Sequence, residues 1–473
     1  MVGLNEEGSH MQDESEIIDL IKRYERMVET GGSHYFDVEE FEIMIEHYLE
    51  FSEIKQAQNV LKYASSLFPE SLTIQLREAQ ILASVGKHMK AISRLKTLLA
   101  FEPHNEEIHL TLASIYSKMS EHHLSITHFN KALLTADSDI KPEIIQDIAL
   151  EYENLGDWRK AIELLKKCIK TDPSYESALF EIAFCYDQIN DIKSAISFFE
   201  KFIDEKPYST LGWYNLGNSY HRLGSLKKAI NAYDFSIAID ETYLRAYIQK
   251  AEALTTGENY SEALEVYNEI IELESATPHT LCCIGECYER LGEYIQAETY
   301  YKKCLDIDAD FSDAFVGLGV LADLQSDIPL SIRFFERAVQ IEPEHADFRL
   351  LLATSFMKLS KPQEAETQFA AIIEKFPKNV EAWEGRIDNL QRLDAHEAAL
   401  EVLKEGIEVV NETTHLRYQQ FFSFFASGKE AKAFDLLDIL LINHFDSAGR
   451  FFNLFPDLLN DNRIADRYNR LKP

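Results

Sequence analysis

Three cysteines close together are the first residues of this chain that could carry out chemistry. Cys282, Cys283 and Cys287 fall in one predicted helix, which places Cys283 and Cys287 on the same face, one turn apart. Such a pair could supply two of the four ligands that zinc requires. No second Cys or His pair stands at a suitable spacing, so the pattern favours buried free thiols over a metal site.

The densest histidine group, His122, His123 and His128, could in principle supply metal ligands or general bases. No HExxH motif and no carboxylate partner accompanies it, so we predict that these side chains lie on a solvated helix face. The sequence also lacks a GxxxxGK[ST] motif, a GxSxG motif and a glycine-rich phosphate loop. We therefore predict that the protein is not an enzyme and that it holds no metal and no cofactor.

The charge balance argues against several kinds of partner. The chain has 473 residues, of which 80 are acidic and 47 basic, for a net charge of −33. A field of this sign repels phosphate backbones and anionic lipid headgroups, so we expect neither nucleic-acid nor membrane binding. Six cysteines in helical patterns, without a secretory signal, indicate a reducing compartment. We therefore expect a cytoplasmic protein.

The elements that must position any site recur with a fixed period of 34 residues. In the stretch 210–243, Trp213, Leu216 and Tyr220 share one face of a first helix, Gly224 breaks it, and Tyr233 lies on a second helix. Twelve such repeats follow one another, and a single step is 36 residues long instead of 34. They begin at positions 38, 72, 106, 142, 176, 210, 244, 278, 312, 346, 380 and 414.

Position 20 of each repeat is the strictest test of this register. It is occupied only by small residues, where a second helix must approach its neighbour closely. The twelve residues are Ala57, Ala91, Ser125, Ala161, Ala195, Ala229, Ala263, Ala297, Ser331, Ala365, Ala399 and Ala433. Proline follows the second helix in six repeats, at Pro69, Pro103, Pro173, Pro207, Pro343 and Pro377.

The order W-x2-L-G-x2-Y…A-x3-[FY] of the repeat resembles the tetratricopeptide repeat (TPR) closely. The resemblance implies an all-α fold, a right-handed superhelical solenoid of helix-turn-helix repeats. We divide the chain into a disordered or tag-derived leader (1–12), an N-terminal capping helix (13–37), twelve repeats in one continuous array (38–447) and a C-terminal capping helix (448–473). The leader is set apart because residues 8–11 resemble the scar of tag removal.

The resemblance also implies a concave groove lined by positions 2, 5, 9, 12 and 13 of each repeat. At these positions the sequence has seventeen acidic residues against six Lys or Arg, around an apolar and aromatic centre. We predict a scaffold or adaptor that binds a protein or peptide segment with apolar anchors and basic flanks. Tyr214, Phe180 and Phe184 would anchor apolar side chains, Asn218 would bind the peptide backbone, and Glu252, Glu286 and Asp187 would select charge. The full candidate set is Phe180, Phe184, Asp187, Tyr214, Asn218, Ile248, Glu252, Glu286, Glu289 and Val316.

Two other interpretations of this face stay open. The apolar strip could pack inside a tightly wound superhelix, and the acids could be the solvated face of a very acidic chain. The alternative function is that of an assembly subunit of a larger complex or homo-oligomer, which uses its ends and convex face and binds no peptide. A homodimer could form through the aromatic residues near the C-terminus, unless a closing helix buries them. These are Tyr418, Phe421, Phe422, Phe424, Phe425, Phe445, Phe451, Phe452 and Phe455.

Overall fold

The computed structural model describes residues 6–171, 175–410 and 414–471, with side chains from residue 16 onward. Within these ranges the regular structure is α-helical apart from one short 3-10 helix, and no β-strand occurs. The chain divides into two compact units, Met1–Asp240 and Glu241–Pro473. We call them the N-terminal unit and the C-terminal unit and describe each by itself.

The N-terminal unit contains an entry helix followed by six helix pairs. Its helices are α1 (Glu6–Thr30), α2 (Val38–Glu50), α3 (Ile54–Leu67), α4 (Leu72–Ser84), α5 (His88–Leu98), α6 (Glu106–Lys118), α7 (His122–Thr135), α8 (Lys141–Asn154), α9 (Trp158–Thr171), α10 (Ala178–Gln188), α11 (Ile192–Glu205), α12 (Thr210–Arg222) and α13 (Leu226–Ile239).

The C-terminal unit contains six further pairs and a tail. Its helices are α14 (Leu244–Thr256), α15 (Tyr260–Leu273), α16 (Pro278–Arg290), α17 (Tyr294–Ile307), α18 (Ser312–Leu324), α19 (Ile328–Ile341), α20 (Ala346–Lys358), α21 (Pro362–Lys375), α22 (Val380–Arg392), α23 (His396–Val409), α24 (Thr414–Ala426), α25 (Glu430–Asn443), α26 (Phe445–Leu454) and α27 (Asn462–Leu471), with a 3-10 helix over Pro456–Asn460.

Helices α2 to α25 confirm the predicted helix-turn-helix repeats, which we number 1 to 12 in chain order. Ten of the twelve first helices begin at the predicted residue; those of repeats 4 and 5 begin at Lys141 and Ala178 instead of 142 and 176. Pro173, one of the predicted closing prolines, lies outside the described residues. That all repeats form one continuous array stays a prediction.

Close packing at the predicted small positions holds each pair of helices together. All twelve residues at position 20 are fully or almost fully buried. Gly217 of α12 lies directly against the ring of Tyr233 on α13, so closely that an added Cβ would overlap the ring. Gly285 repeats this contact with Tyr301, whose Cε1 would lie 2.7 Å from an added Cβ. The small residues are therefore needed where a large one from the partner helix fills the same space.

The turn inside each repeat has the same backbone conformation throughout. Its residue at position 15 has a positive φ in all twelve repeats, between 53° and 78°. Glycine, which adopts this conformation without steric cost, stands there in only five: Gly86, Gly156, Gly224, Gly292 and Gly428. The other seven accept some strain, because the following helix must start at a fixed angle.

The two ends differ from the predicted boundaries. Helix α1 begins at Glu6, inside the segment assigned to a leader, while residues 1–5 lie outside the description. The predicted single closing helix over 448–473 is instead two helices, α26 and α27, separated by the 3-10 helix that starts at Pro456. Proline lacks the N–H that would continue α26, so the chain turns there. Among the described helices, none combines the length and the apolar character needed to cross a bilayer.

Candidate functional site

The predicted aromatic anchors of the N-terminal unit lie on α10 and α12, and they differ in accessibility. The ring of Tyr214 lies 5.9 Å from that of Phe180 and 6.3 Å from that of Tyr233, between centroids. Only 9% of Tyr214 is exposed, so this side chain packs between repeats and is not an open anchor. Phe184, in contrast, is 48% exposed, with its edge against Trp158 at 5.7 Å.

The polar candidates of the N-terminal unit already have partners. The carboxylate of Asp187 pairs with the guanidinium of Arg222, thirty-five residues further on in the next repeat. The hydroxyl of Tyr233 donates a hydrogen bond of 2.9 Å to Oδ1 of Asn218. The charge selection predicted for Asp187 and the backbone binding predicted for Asn218 thus involve a carboxylate and an amide oxygen that already have partners.

The acidic candidates of the C-terminal unit differ from Asp187 in their ion pairing. Glu286 is exposed on α16, while Glu252 on α14 and Glu289 on α16 are half-buried. Nε2 of Gln249 donates to Glu252 at 2.8 Å, and the Tyr301 hydroxyl donates to Glu289 at 2.8 Å. Within the described part of this unit, no Lys or Arg forms an ion pair with any of the three.

Burial raises the pKa of both Glu286 and Glu289, and nearby negative charges raise that of Glu286 further. The pKa of Glu286 is raised by loss of surrounding water and then by the charges of Asp313 and Glu289, although its side chain is exposed. Burial also raises the pKa of Glu289, against the Tyr301 hydrogen bond, which lowers it.

Asp313 is the member of this group that the sequence argument did not name. It occupies position 2 of repeat 9 and is exposed at the start of α18. Burial of the carboxyl raises its pKa, Glu342 raises it further, and His345 and His279 oppose the shift. Position 2 is one of the five predicted groove positions, so Asp313 could have been identified from the sequence. We call Glu252, Glu286, Glu289 and Asp313 the acidic cluster.

Apolar candidates lie on the same helices as the acidic cluster. Ile248 on α14 and Val316 on α18 are half-buried, and Val316 packs against the core of repeats 9 and 10. Part of each side chain is therefore still accessible. The first helices of repeats 7 to 9 thus present carboxylates that form no ion pair with Lys or Arg among the described residues, beside accessible aliphatic side chains.

The cysteine and histidine clusters do not form a metal site in the residues that the structure describes. No group of three or more His, Cys, Asp or Glu side chains there could hold a metal ion. All six cysteines are free, and five are buried, with Cys283 intermediate, in agreement with the thiol interpretation.

The histidine prediction was wrong for two of three residues. Nδ1 of His122 lies 2.7 Å from Oε2 of Glu151, a carboxylate partner that the sequence did not reveal. His128 stacks on Tyr116, and its Nδ1 lies 3.0 Å from Nδ1 of His109. Burial and then the neighbouring His109 lower the pKa of His128 to about 4. Only His123 is exposed as predicted.

The C-terminal aromatic residues are buried by their own unit. Tyr418, Phe421, Phe451 and Phe452 are in its core, and the other five pack against that core from partly buried positions. The ring of Phe445 stacks on Tyr468 of α27, with centroids 5.3 Å apart. Packing under the tail accounts for these side chains, so they supply no evidence for a dimer surface.

A buried arginine was also missed. Arg77 of α4 is 4% exposed, and its guanidinium pairs with Glu42 and Glu46 of the preceding repeat and with Glu107 of the following one. The charge is therefore compensated from three sides, as a buried cation requires. Ion pairs link other adjacent repeats as well, as between Arg222 and Asp187 and between Lys358 and Asp323.

Comparison with known proteins agrees with the geometry. Family models described as tetratricopeptide repeat match residues 147–210, residues 212–243, 244–277 and 279–311, and residues 324–387. Tetratricopeptide repeat protein 6 of Homo sapiens is 24% identical over 182 residues, which cover 36% of this chain and 34% of that protein. Protein O-mannosyl-transferase TMTC1 of Homo sapiens is 22% identical over 155 residues, 33% of this chain and 17% of that protein.

The chain thus spans about a third and about a sixth of the lengths of these two curated relatives. Among solved structures, a tetratricopeptide repeat protein from Parabacteroides merdae is similar over 53% of this chain and 98% of its own, with 17% identity and a TM-score of 0.42. The helix pairs, their 34-residue period and the matching family models lead to one assignment. The matched residues are tetratricopeptide repeats, and the helix pairs outside them follow the same 34-residue period.

Proposed function

We propose that the protein is a binding scaffold that holds an extended or helical partner segment against the first helices of its C-terminal unit. Tetratricopeptide repeats are protein-binding repeats, which supports the general role. The observation that carries the more specific proposal is the acidic cluster, which has no Lys or Arg ion pair among the described residues of the unit. A partner would supply the missing cations.

The expected ligand carries lysine or arginine beside aliphatic side chains. Burial, and then neighbouring acidic charges, raise the pKa values of Glu286 and Asp313, and a cationic group placed between them would stabilise the charged form of both. Aliphatic side chains would cover Ile248 and Val316, whose half-buried surfaces are otherwise open to water. Charge would set the choice of partner and apolar contact would supply much of the affinity.

Catalysis is not part of this proposal. The similarity to the O-mannosyl-transferase covers only 17% of that protein, so we carry no transferase activity over to this chain. We place the protein in the cytoplasm, because free cysteines persist in a reducing compartment.

Calorimetric titration with a short peptide that alternates lysine with leucine tests the ligand chemistry. We expect wild-type protein to bind it, and to bind the same peptide with glutamine in place of lysine at least about tenfold more weakly. The variant Glu286→Gln/Asp313→Asn should lose the preference for lysine, because it removes charge without changing side-chain shape.

A matched control comes from α15, the second helix of repeat 7. Glu265 and Glu269 are both exposed there, and Glu265→Gln/Glu269→Gln changes the net charge by the same amount. This control should bind the lysine peptide like wild type. Equal loss in both double variants would show that only overall charge matters, and the proposed site would be wrong.

A further inference from the structure

A groove lined by lysine lies between the second helices of repeats 4 and 5, in the N-terminal unit. Its volume is about 680 Å³, and α9 and α11 form its two walls. Ile169, Phe202 and Tyr186 are buried and form the apolar floor, with Phe198 half-buried beside them. This groove is formed mainly by second helices, whereas every candidate of the predicted concave face lies on a first helix.

The charge of the groove is opposite to that of the chain as a whole. Lys166, Lys170, Lys201 and Lys206 line it, against the single carboxylate of Glu205, in a protein whose net charge is −33. In the part of the chain that the structure describes, none of the four lysines forms an ion pair. Many other cations of the chain are paired, as Arg77 and Arg222 are. The groove therefore has positive charge that no carboxylate among the described residues neutralises through an ion pair.

Aromatic side chains hold one of these lysines in place. Nζ of Lys166 donates a hydrogen bond of 2.7 Å to the hydroxyl of Tyr186. It also lies 4.7 Å from the ring centroid of Phe198 and 5.1 Å from that of Tyr186. These contacts fix the ammonium group over the floor without cancelling its charge. An anionic group that enters the groove meets a positioned cation.

The length of the groove indicates the kind of ligand. Along α11 its lining runs from Ser194 to Glu205, a distance of roughly 16 Å at the rise of an α-helix. An extended polypeptide of about five residues spans that length. A single phosphate or carboxylate would contact only part of it.

We propose that this groove is a docking site for an acidic segment of a partner polypeptide that carries an aromatic or aliphatic side chain. Carboxylates of the segment pair with Lys170 and Lys201 on opposite walls. Its apolar side chain covers Phe198 and Phe202. This inference does not depend on the function proposed for the C-terminal unit, and the two sites select ligands of opposite charge.

Fluorescence anisotropy of the full-length protein with a defined probe tests the proposal. The probe is a fluorescein-labelled peptide of glutamates around a central phenylalanine, and its neutral counterpart has glutamine throughout. We expect the acidic probe to bind wild type and the neutral one to bind at least about tenfold more weakly. Lys170→Glu/Lys201→Glu should abolish binding of the acidic probe, and Phe198→Ala should weaken it.

The control uses the same two helices. Lys167 on α9 and Lys193 on α11 are exposed and do not line the groove. The variant Lys167→Glu/Lys193→Glu changes the net charge by the same amount as Lys170→Glu/Lys201→Glu, but outside the groove. Binding by this control should equal that of wild type. Equal loss in both double variants, or equal affinity for the neutral probe, would overturn the proposal.

Two further results would assign the groove to another occupant. If inorganic phosphate displaced the probe at the probe's own affinity, the site would be one for small anions. If sedimentation showed a dimer of wild type that Lys170→Glu/Lys201→Glu dissociates, the occupant would be a second copy of this chain. Either result would overturn the assignment to a partner segment.

Discussion

Repeats 5 and 8 both have an acidic residue at position 12, Asp187 and Glu289, but the two carboxylates differ in their ion pairing. In repeat 5, Asp187 is paired with Arg222 of the next repeat. In repeats 8 and 9, Glu286, Glu289 and Asp313 have raised pKa values and no Lys or Arg ion pair in the described residues. The number of acidic residues on a face therefore does not measure its capacity to bind cations, because neighbouring repeats can neutralise them.

The C-terminal unit itself contains the same contrast. Asp323 occupies the position of repeat 9 that corresponds to Asp187, and Lys358 of the next repeat donates to both of its carboxylate oxygens, at 2.8 and 2.6 Å. Both pairs join residues thirty-five apart. Among the described residues, no Lys or Arg forms an ion pair of this kind with the acidic cluster. We therefore propose that the cluster is the binding surface.

The largest effect is expected at Gly317, which packs against Tyr301, the hydrogen-bond donor to Glu289 of the acidic cluster. An added Cβ at Gly317 would overlap the ring of Tyr301, whose hydroxyl orients Glu289. We expect Gly317→Ala to lower the free energy of unfolding by about 2 to 3 kcal/mol, as overpacking does. Chemical denaturation of purified protein measures it. Gly449 has open space around it, so Gly449→Ala should leave stability unchanged or slightly raised, and equal losses in both variants would contradict the packing account.

The pH dependence of peptide binding should distinguish the two regions. Because the pKa values of Glu286, Glu289 and Asp313 are raised, these carboxylates lose their charge at a higher pH than ordinary acids as the solution is acidified. We expect affinity for the lysine peptide to be lower in mildly acidic solution than at neutral pH, because protonated carboxylates do not attract the lysine side chains. His279 and His345 lie near Asp313, and Arg290 lies near Glu286 and Glu289, where each lowers the pKa of the neighbouring carboxylate. Titration calorimetry at several pH values tests it, and a flat profile would contradict the assignment.

A carboxylate of the N-terminal unit gives the next largest effect. Burial and then the charges of Glu143 and Glu151 raise the pKa of Asp147 to about 6. Since the folded pKa exceeds the unfolded one, the charged form destabilises the fold above about pH 6, and the penalty disappears below about pH 4. Asp147→Asn should therefore stabilise the protein by about 1 kcal/mol at neutral pH and not in acid. Thermal melts at both pH values check this, and equal melting shifts would refute it.

The smallest effect on stability is expected at the ion pair between Asp187 and Arg222. Asp187 and Arg222 are both partly exposed, so Arg222→Gln should change the free energy of unfolding by less than about 1 kcal/mol. The same substitution leaves Asp187 without its cation and should create weak binding of the lysine peptide in the N-terminal unit. Peptide cross-linking followed by mass spectrometry would locate it, and no gain there would weaken the comparison.

The repeated architecture could be predicted from the sequence because packing imposes a strict period. The small residues at position 20 are all buried, and most helices begin where the 34-residue register places them. There are two exceptions. The tail turns at Pro456, and the first helices of repeats 4 and 5 begin one or two residues away from the predicted start.

The candidate site was less predictable because it depends on contacts between repeats. Tyr214 is buried, with Phe180 and Tyr233 among its neighbours, and neither contact is evident from the position of Tyr214 in the sequence. The partner of Asp187 lies one repeat away and could have been found by comparing charges at a spacing of thirty-five residues. The lysine groove has a similar signature, since Lys166 and Lys201 are also thirty-five residues apart.

Affinity capture from extract of the source cells tests the central claim most directly. Wild type, Glu286→Gln/Asp313→Asn and the α15 control Glu265→Gln/Glu269→Gln serve as parallel baits. The account predicts a protein that wild type and the control retain, that the first variant loses and that added salt releases. If all three baits retain the same proteins to the same extent, the acidic cluster is not the binding surface.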